Sequence, residues 1–305
     1  MIPATETFDG SFPFAPRFTT APGFRMHYVD EGSGEVLLLL HGEPTWGYLF
    51  RELIPELARA HRVVVPDHMG FGKSETPAGR RYDLTAHVDN LEAFVLDLDL
   101  RDITLVAHDF GGLAGAGLAL RHPDRIARLV AANAALPLGL PAQDEHLPRM
   151  IADAPWFQWI IRAHADGSLT QVLGNLDATI LSVLDLNGFE RRDRITPTWL
   201  RAYGSAFAGG AGAAAGAIGW ALGVGEGTLT LPEGSPEAVA AVRARPALHI
   251  QGMRDRTLPA EHIIPIFAEA FPGAPVHRIE RAGHYVFEDA PETVAPLIEQ
   301  FVALT

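Results

Sequence analysis

The chain has 305 residues, of which 48% are hydrophobic and 20% charged. This composition is typical of a globular protein, and no run of eighteen apolar residues indicates a membrane span. The formal net charge of -13 repels phosphate backbones and anionic lipids, so neither nucleic acid nor a membrane is an expected partner. Because the sequence has no cysteine, disulfide bonds, thiolate nucleophiles and cysteine-ligated metals are excluded.

The beginning of the chain and the histidines narrow the class further. The first residues, MIPATETFDGSFPF, lack the basic region and apolar run of a secretory signal, so a cytoplasmic location is expected. The thirteen histidines are scattered, without an HExxH pair or another ligand spacing. We therefore expect an enzyme without a metal or other cofactor.

In chain order, short runs rich in leucine and β-branched residues alternate with helical stretches at residues 53–60 and 84–98. This alternation predicts an α/β fold with a mainly parallel sheet covered by helices. A terminal amphipathic helix is predicted for ETVAPLIEQFVAL. The predicted strands are FRMHYVDEGS, VLLLL, RVVV, ITLVA, ARLVAANA, ALHIQG and PVHRIE, the last two being expected as buried strands.

The alternation stops between about residues 137 and 246. Tryptophan-bearing helical pieces, the polar stretch NGFERRDR and the segment AGGAGAAAGAIGWALGVGEG replace it. We interpret residues 138–245 as an inserted helical cap, which leaves residues 1–137 and 246–305 as the core domain. The glycine and alanine segment fits a flexible linker or a packed helix, and its large apolar residues, such as Trp220, favour the helix.

A nucleophile elbow is predicted in LVAHDFGG, where a buried strand runs through His108 into a helix of small residues. At such a sharp turn one side chain is lifted into the site, and here that side chain is Asp109. Ala107 replaces the usual first glycine, and its methyl group is the next smallest side chain. The alternative is that Asp109 only caps the following helix.

Two further residues favour catalysis over capping. His284 in RAGHYVFED follows the last strand, where a general base is expected, and Asp255 in IQGMRDRTLP follows a buried strand, where a carboxylate can orient the imidazole. The end of the preceding strand, AANAALP, offers no competing carboxylate. The order nucleophile, acid, base is the one expected of α/β-hydrolases.

The segment HGEPTWGYLFR follows the leucine strand and completes the predicted site. Its turn and the elbow are expected to present the backbone N–H groups of Glu43 and Phe110 to a developing oxyanion. The side chain of Glu43 has two interpretations. It hydrogen-bonds a catalytic water or the loop, or it is a structural carboxylate beneath the cap.

Together, HGEPTW with YLFR, PDHMGFGKS, HDFGG, GMRDRTLP and AGHYVFED resemble the haloalkane dehalogenase family, in the group with an aspartate nucleophile that it shares with epoxide hydrolases. The resemblance covers both core segments nearly end to end and is weak in the cap. It implies the α/β-hydrolase fold and an Asp-His-Asp triad. The glutamate in HGEP is similar to the branch acting on short chloroalkanes, since other branches carry asparagine there.

An aspartate nucleophile suits attack on an sp³ carbon, because attack on an acyl carbon would give only a reversible anhydride. Displacement of halide, or opening of an epoxide, would leave an alkyl ester on Asp109. Water activated by His284 would then hydrolyse that ester, while Asp255 stabilises the imidazolium.

The leaving group separates the two activities. Halide needs N–H donors, and the resemblance places a halide-binding tryptophan near Trp156 and Trp159 in PWFQWII. An epoxide oxygen needs a proton, which related hydrolases take from cap tyrosines, and Tyr203 in AYGSAF is the candidate. The family's tryptophan after the nucleophile is replaced by Phe110, which has no N–H group.

The leading hypothesis is therefore a cofactor-free haloalkane dehalogenase that takes a small apolar substrate and water and requires no protein partner. The alternative is an epoxide hydrolase or another hydrolase of the same fold with an aspartate nucleophile. A third hypothesis is a non-catalytic ligand-binding receptor on this scaffold, but such receptors usually lose a triad residue and this chain retains all three.

Overall fold

One sheet of eight strands lies at the centre of the computed structural model, which describes residues 2–305. The strand order is β1-β2-β4-β3-β5-β6-β7-β8. Strands β1 and β2 pair antiparallel to each other, and β2 pairs antiparallel to β4, whereas every other pair is parallel. The strands are β1 Arg17–Thr19, β2 Met26–Gly32, β3 Val36–Leu40, β4 Arg62–Pro66, β5 Ile103–His108, β6 Ile126–Ala132, β7 Ala247–Gly252 and β8 Val276–Ile279.

The central strands are hydrophobic along their whole length because helices cover both faces of the sheet. All five residues of β3 and all six of β5 are buried. The prediction that PVHRIE forms a buried strand is wrong in one respect: β8 is an edge strand in which His277 and Arg278 are exposed. The three-residue strand β1 was not predicted, since it is too short to show a hydrophobic period.

Helices flank the sheet and fill the long connection between β6 and β7. The predicted helix at 53–60 is a single turn followed by hydrogen-bonded turns, whereas those at 84–98 and at the end of the chain are fully formed. No helix within residues 2–305 has the length and apolar character needed to cross a membrane. The helices are α1 Ile54–Leu57, α2 Leu84–Asp97, α3 Phe110–Arg121, α4 Pro141–Asp153, α5 Pro155–Ala165, α6 Leu169–Leu173, α7 Leu176–Asn187, α8 Pro197–Gly204, α9 Ala215–Gly225, α10 Pro236–Arg243, α11 Ala260–Ala270, α12 Val286–Asp289 and α13 Pro291–Leu304.

The connection between β6 and β7 contains α4 to α10 and no strand of the described chain. The glycine and alanine segment forms α9, in which Trp220 is buried. Helix α10 packs against α3 of the sheet-flanking layer, although it lies within residues 138–245. The assignment of those residues to a separate cap remains a prediction, and the packing of α10 favours a boundary that precedes this helix.

Candidate active site

Asp109 lies at the turn between β5 and α3, with φ 50° and ψ -125°. A positive φ is unusual for a residue with a side chain and costs free energy, so packing must hold the turn in place. A Cβ atom at Gly42 would come within 2.3 Å of the Cβ of Asp109. Glycine at that position therefore lets the turn after β3 close against the elbow.

Backbone donors bind the carboxylate of Asp109. The N–H of Glu43 donates to Oδ1 over 2.9 Å, and the backbone N–H of Phe110 lies close enough to lower the pKa of this carboxylate. Burial raises the pKa of Asp109, and the charge of His284 and these two backbone donors oppose the rise. The two backbone groups predicted to stabilise an oxyanion thus both contact the carboxylate itself.

His284 lies between the two aspartates. Its Nδ1 is 3.0 Å from Oδ2 and 3.1 Å from Oδ1 of Asp255, and its Nε2 is 3.6 Å from Oδ2 of Asp109. The longer separation exceeds a hydrogen bond, and Nε2 has no partner among the described residues. Burial alone would lower the pKa of His284, but the charge and hydrogen bond of Asp255 and the charge of Asp109 raise it.

Asp255 is a fully buried carboxylate with a complete set of donors. The backbone N–H groups of Thr257 and Leu258 each donate to Oδ1 over 2.8 Å, and the side-chain amide of Asn133 donates to Oδ2 over 2.6 Å. Burial would raise its pKa, but His284 and these hydrogen bonds lower it. Asp255 therefore stays ionised beside the imidazole.

Asn133 was not recognised as a site residue from the sequence. It lies at the end of β6, with φ 44°, and its side-chain oxygen accepts a hydrogen bond from the backbone of Gly252 over 3.0 Å. It thus connects the end of β6 to the strand that carries Asp255. In the sequence, this role was indicated by the position of Asn133 in AANAALP, where a polar side chain directly follows a buried strand.

The side chain of Glu43 is buried, and neither of its carboxyl oxygens has a hydrogen-bond partner in the described part of the chain. Burial, together with the negative charge of Asp109, raises its pKa well above the ordinary value. The indole of Trp156 lies close enough to oppose this rise, without a hydrogen bond of normal geometry. Burial and the neighbouring carboxylate thus both favour the neutral form of Glu43.

A cavity of about 220 Å³ opens above Asp109, between the sheet and the helices that follow β6. Asp109 is the one charged residue among those that line it. Such a surface suits an uncharged, apolar ligand whose reacting end approaches the carboxylate. The lining residues are Asp109, Phe110, Leu113, Ala135, Leu147, Pro148, Met150, Ile151, Phe157, Trp220, Gly223, Val224, Gly227, Leu229, Leu231 and Leu258.

The structure does not place Trp156 and Trp159 on the wall of this cavity. They stack on each other with ring centroids 5.0 Å apart, and the residue of α5 that lines the cavity is Phe157. Successive helical residues are rotated by about 100°, so Trp156 and Phe157 point in different directions, and the indole of Trp156 lies beside Glu43 rather than on the cavity wall. The tryptophan on the cavity wall is Trp220, whose ring centroid lies 4.4 Å from that of Phe110.

Tyr203 also lies away from the cavity. Its hydroxyl donates to Oε1 of Glu288 over 2.5 Å, and its ring packs edge-on against Tyr48 and Trp199. Arg51 forms an ion pair with the same glutamate. A buried carboxylate needs such donors, so the hydroxyl of Tyr203 serves Glu288 rather than a ligand above Asp109.

No group of three or more potential metal ligands is assembled among residues 2–305. The geometry instead combines a carboxylate in a strained elbow, a buried imidazole oriented by a second carboxylate, and backbone donors. These groups meet at the carboxyl ends of the parallel strands, where open α/β sheets place their sites.

Comparison with known proteins agrees with this architecture. The family model described as alpha/beta hydrolase fold matches residues 35–291, and the chain belongs to this family. A cis-3-alkyl-4-alkyloxetan-2-one decarboxylase of Xanthomonas campestris pv. campestris is 34% identical, over 97% of this chain and 98% of the relative. A haloalkane dehalogenase of Psychrobacter cryohalolentis is 49% identical, over 38% of this chain and 39% of the relative.

Among solved structures, an epoxide hydrolase from metagenomes of hot environments superimposes with a TM-score of 0.74. It covers 95% of this chain, and this chain covers 98% of it, at 22% identity. At that identity the likeness concerns the fold alone. The relatives thus place the chain among α/β-hydrolases that include haloalkane dehalogenases.

Proposed function

We propose that Asp109 attacks an sp³ carbon bearing a leaving group, and that water then hydrolyses the resulting ester, with haloalkanes as the first substrate class. One observation carries the proposal. A carboxylate occupies the elbow, beside an apolar cavity, with an unpartnered imidazole nitrogen 3.6 Å from its Oδ2. A serine there would indicate acyl transfer, whereas a carboxylate suits displacement.

In the first step, Oδ2 of Asp109 forms a bond to the carbon while the carbon–halogen bond breaks and halide leaves. Oδ1 is held by the N–H of Glu43 over 2.9 Å, which orients the other oxygen for attack. No proton transfer is needed, because halide is a weak base. The product of this step is an alkyl ester of Asp109.

In the second step, Nε2 of His284 takes a proton from water as the water oxygen attacks Cγ of Asp109. The oxyanion forms on Oδ1, where the two backbone donors already point, and such donors are worth about 3 to 4 kcal/mol each in related chemistry. Asp255 stabilises the imidazolium. Collapse breaks the bond between Cγ and the alkyl oxygen, which takes the proton from His284 and leaves as alcohol.

Decarboxylation of an oxetan-2-one is a second candidate. Two observations favour it: the Xanthomonas campestris relative is similar along nearly the whole chain, and Phe110 offers no side-chain donor to a halide. Asp109 would attack the sp³ ring carbon that is bonded to the ring oxygen. The bond between that carbon and the oxygen would break to give a free carboxylate. Loss of CO₂ would then form the alkene and expel Asp109, without water.

Epoxide opening has less support. The leaving alkoxide needs a proton donor, and Tyr203 donates its hydroxyl to Glu288. The residues that line the cavity include no tyrosine. The non-catalytic hypothesis has less support still, because all three residues of the proposed triad are present, with His284 3.6 Å from Asp109 and 3.0 Å from Asp255.

The decisive experiment traps the ester. His284→Phe, incubated with 1-bromobutane and digested, should show a butyl adduct on the peptide containing Asp109 by mass spectrometry, with one bromide released per enzyme. Asp109→Ala, treated in parallel, should show no adduct and no bromide. A folded His284→Phe protein without adduct would contradict the proposal, provided that thermal melting and circular dichroism match the wild type.

Turnover by the wild type distinguishes the two candidate functions. Bromide release from 1-bromobutane and 1,2-dibromoethane supports hydrolytic dehalogenation, whereas alkene formation from a cis-3,4-dialkyloxetan-2-one supports the second candidate. A single turnover in ¹⁸O-labelled water should place the label in Asp109 rather than in the alcohol, because water attacks Cγ. Label in the alcohol alone would show direct attack of water on the substrate.

A further inference from the structure

A second pocket of about 320 Å³ adjoins the cavity above Asp109. The two spaces share three wall residues, Trp220, Gly223 and Leu229. The outer pocket is also lined by the start of α2 and the segment before it, which includes Tyr82 and Leu84. The end of α9 and the loop after it therefore lie between the two spaces, here called the inner cavity, which Asp109 lines, and the outer pocket; both are partly open to the surface.

The inner cavity alone is small for a long substrate. Its volume of about 220 Å³ lies below the roughly 300 to 1,000 Å³ of typical ligand pockets. Apolar side chains surround Asp109, so an alkyl chain longer than this space must leave it at some point along the wall. The shared wall beside Trp220 is where a neighbouring space is available.

Gly223 has no evident packing reason to be glycine. A Cβ atom at Gly216 would lie 2.7 Å from Phe71, and one at Gly219 would lie 2.3 Å from Tyr82, so those helix positions exclude larger residues. At Gly223 the nearest atom would be the Cα of Leu229, at 4.0 Å. Glycine weakens a helix relative to alanine, and here neither close contact nor a positive φ requires it.

The loop after α9 is fixed over this position. The backbone N–H groups of Thr228 and Leu229 both donate to the carbonyl oxygen of Gly223, over 2.9 and 3.0 Å. Trp220 lies one turn earlier on the same face of the helix. The missing side chain at residue 223 therefore leaves space between a fixed loop and a large ring.

We propose that Gly223 determines the chain length of the substrate: it keeps open a passage through which the alkyl chain of a long substrate extends from the inner cavity into the outer pocket. This inference rests on the proposed function for the reacting end of the substrate. The passage lies between Trp220 and Leu229. The distal part of an unbranched, uncharged alkyl chain would lie in the outer pocket against Tyr82, Leu84 and Leu222, whereas Arg81, Asp83 and Glu226 line the rest of this pocket.

The test replaces Gly223 with leucine and compares 1-bromobutane with 1-bromodecane. Gly223→Leu should lower turnover of 1-bromodecane by about tenfold or more relative to turnover of 1-bromobutane. Gly212→Leu is the matched control, because a Cβ there also meets nothing within 4 Å and its φ is not positive. Equal loss with both substrates, or no loss with either, would overturn the proposal.

Binding without turnover distinguishes this proposal from the catalytic one. Thermal stabilisation by 1-butanol and 1-decanol is measured for the wild type, Gly223→Leu and Gly212→Leu. Decanol should stabilise the wild type and the control more than Gly223→Leu, and this difference should be smaller with butanol. If no bromoalkane is turned over, the proposed function fails, and equal decanol binding by all three proteins would still refute the passage.

Gly223→Ala tests whether a folding defect explains the effect of Gly223→Leu. This smaller change should raise the melting temperature, because alanine favours the helix, and should reduce turnover of 1-bromodecane less than leucine does. A lower melting temperature for Gly223→Ala would show that glycine is needed for the backbone, and the passage would then lose its main support.

Discussion

The carboxyl ends of the strands and the helices between β6 and β7 meet at the same cavity, but they are built differently. On the strand side, Asp255 accepts hydrogen bonds from the side chains of Asn133 and His284 and from two backbone N–H groups. On the helical side, the contribution is apolar surface, from residues such as Phe157 and Trp220. Directional bonds fix the position of the reacting groups, whereas apolar contacts fix only the shape of the space.

This difference separates chemistry from substrate choice. A change on the strand side should affect every substrate by a similar factor, because it alters the reacting groups. A change on the helical side should alter the ranking of substrates and leave the chemical steps intact. The four predictions below test that separation, beginning with the largest expected effect.

Asp255→Asn should slow hydrolysis of the ester by roughly 10³ to 10⁴, since an amide cannot stabilise the imidazolium or enforce its tautomer. Formation of the ester should persist, because the imidazole acts in the second step. Rapid-quench measurement of bromide and alcohol should therefore show a full bromide burst followed by slow turnover. A missing burst, or a factor that differs widely between substrates, would contradict the separation. Asp153→Asn, at an exposed position near the end of α4, is the control.

The hydrolysis step should lose activity at low pH by about tenfold per pH unit, because a protonated His284 has no lone pair on Nε2. Despite burial, Asp255 and Asp109 raise the pKa of His284 above its ordinary 6.5, and esterification removes the charge of Asp109. The midpoint pH of ester hydrolysis should thus lie below the pKa of His284 in the unreacted protein, which NMR titration measures. A bromide burst that falls in parallel with hydrolysis would contradict this assignment.

Phe110→Trp tests the boundary between the two regions, since Phe110 lies at the elbow and also lines the cavity. A new N–H donor to a charged partner is worth roughly 1.5 to 3 kcal/mol, whereas crowding against Trp220 should lower the free energy of unfolding by roughly 1 to 3 kcal/mol. We expect bromide binding to tighten by about tenfold, measured by fluorescence quenching. Unchanged bromide affinity in a folded variant would show that halide does not approach residue 110.

Tyr203→Phe should have the smallest effect on activity. Its hydroxyl donates to Glu288, so its loss should reduce the free energy of unfolding by about 1.5 to 3 kcal/mol and leave kcat within about twofold. Urea denaturation and steady-state kinetics measure the two effects. A large loss of activity towards epoxides alone would instead restore Tyr203 as a proton donor.

The sequence predicts the strand side of the site better than the helical side. Asp109 and Asp255 each follow a strand whose apolar run identifies it, His284 follows the edge strand β8, and parallel strands bring their carboxyl ends to one edge. The structure brings these three side chains together, as the sequence analysis expected. Their catalytic roles remain proposals that the experiments above test.

The helical side depends on information that a single sequence lacks. PWFQWII is apolar on several faces, so its pattern does not determine that Phe157, rather than Trp156 or Trp159, lines the cavity. Tyr203 is directed by Glu288 and Arg51, which are distant along the chain. The sequence does not distinguish Gly223 from the other glycines, and the open space beside it is visible only in the structure.

The contact between Asp109 and the backbone N–H of Glu43 has a consequence for inhibition. In a serine hydrolase the equivalent donors await an external oxygen, and free acids or boronates can occupy them. Here the enzyme's own carboxylate already fills that place, with Oδ1 2.9 Å from the donor nitrogen of Glu43. Small anionic inhibitors would therefore meet both an occupied site and a like charge, and under the proposed function we expect neutral alkylating agents to inhibit more strongly.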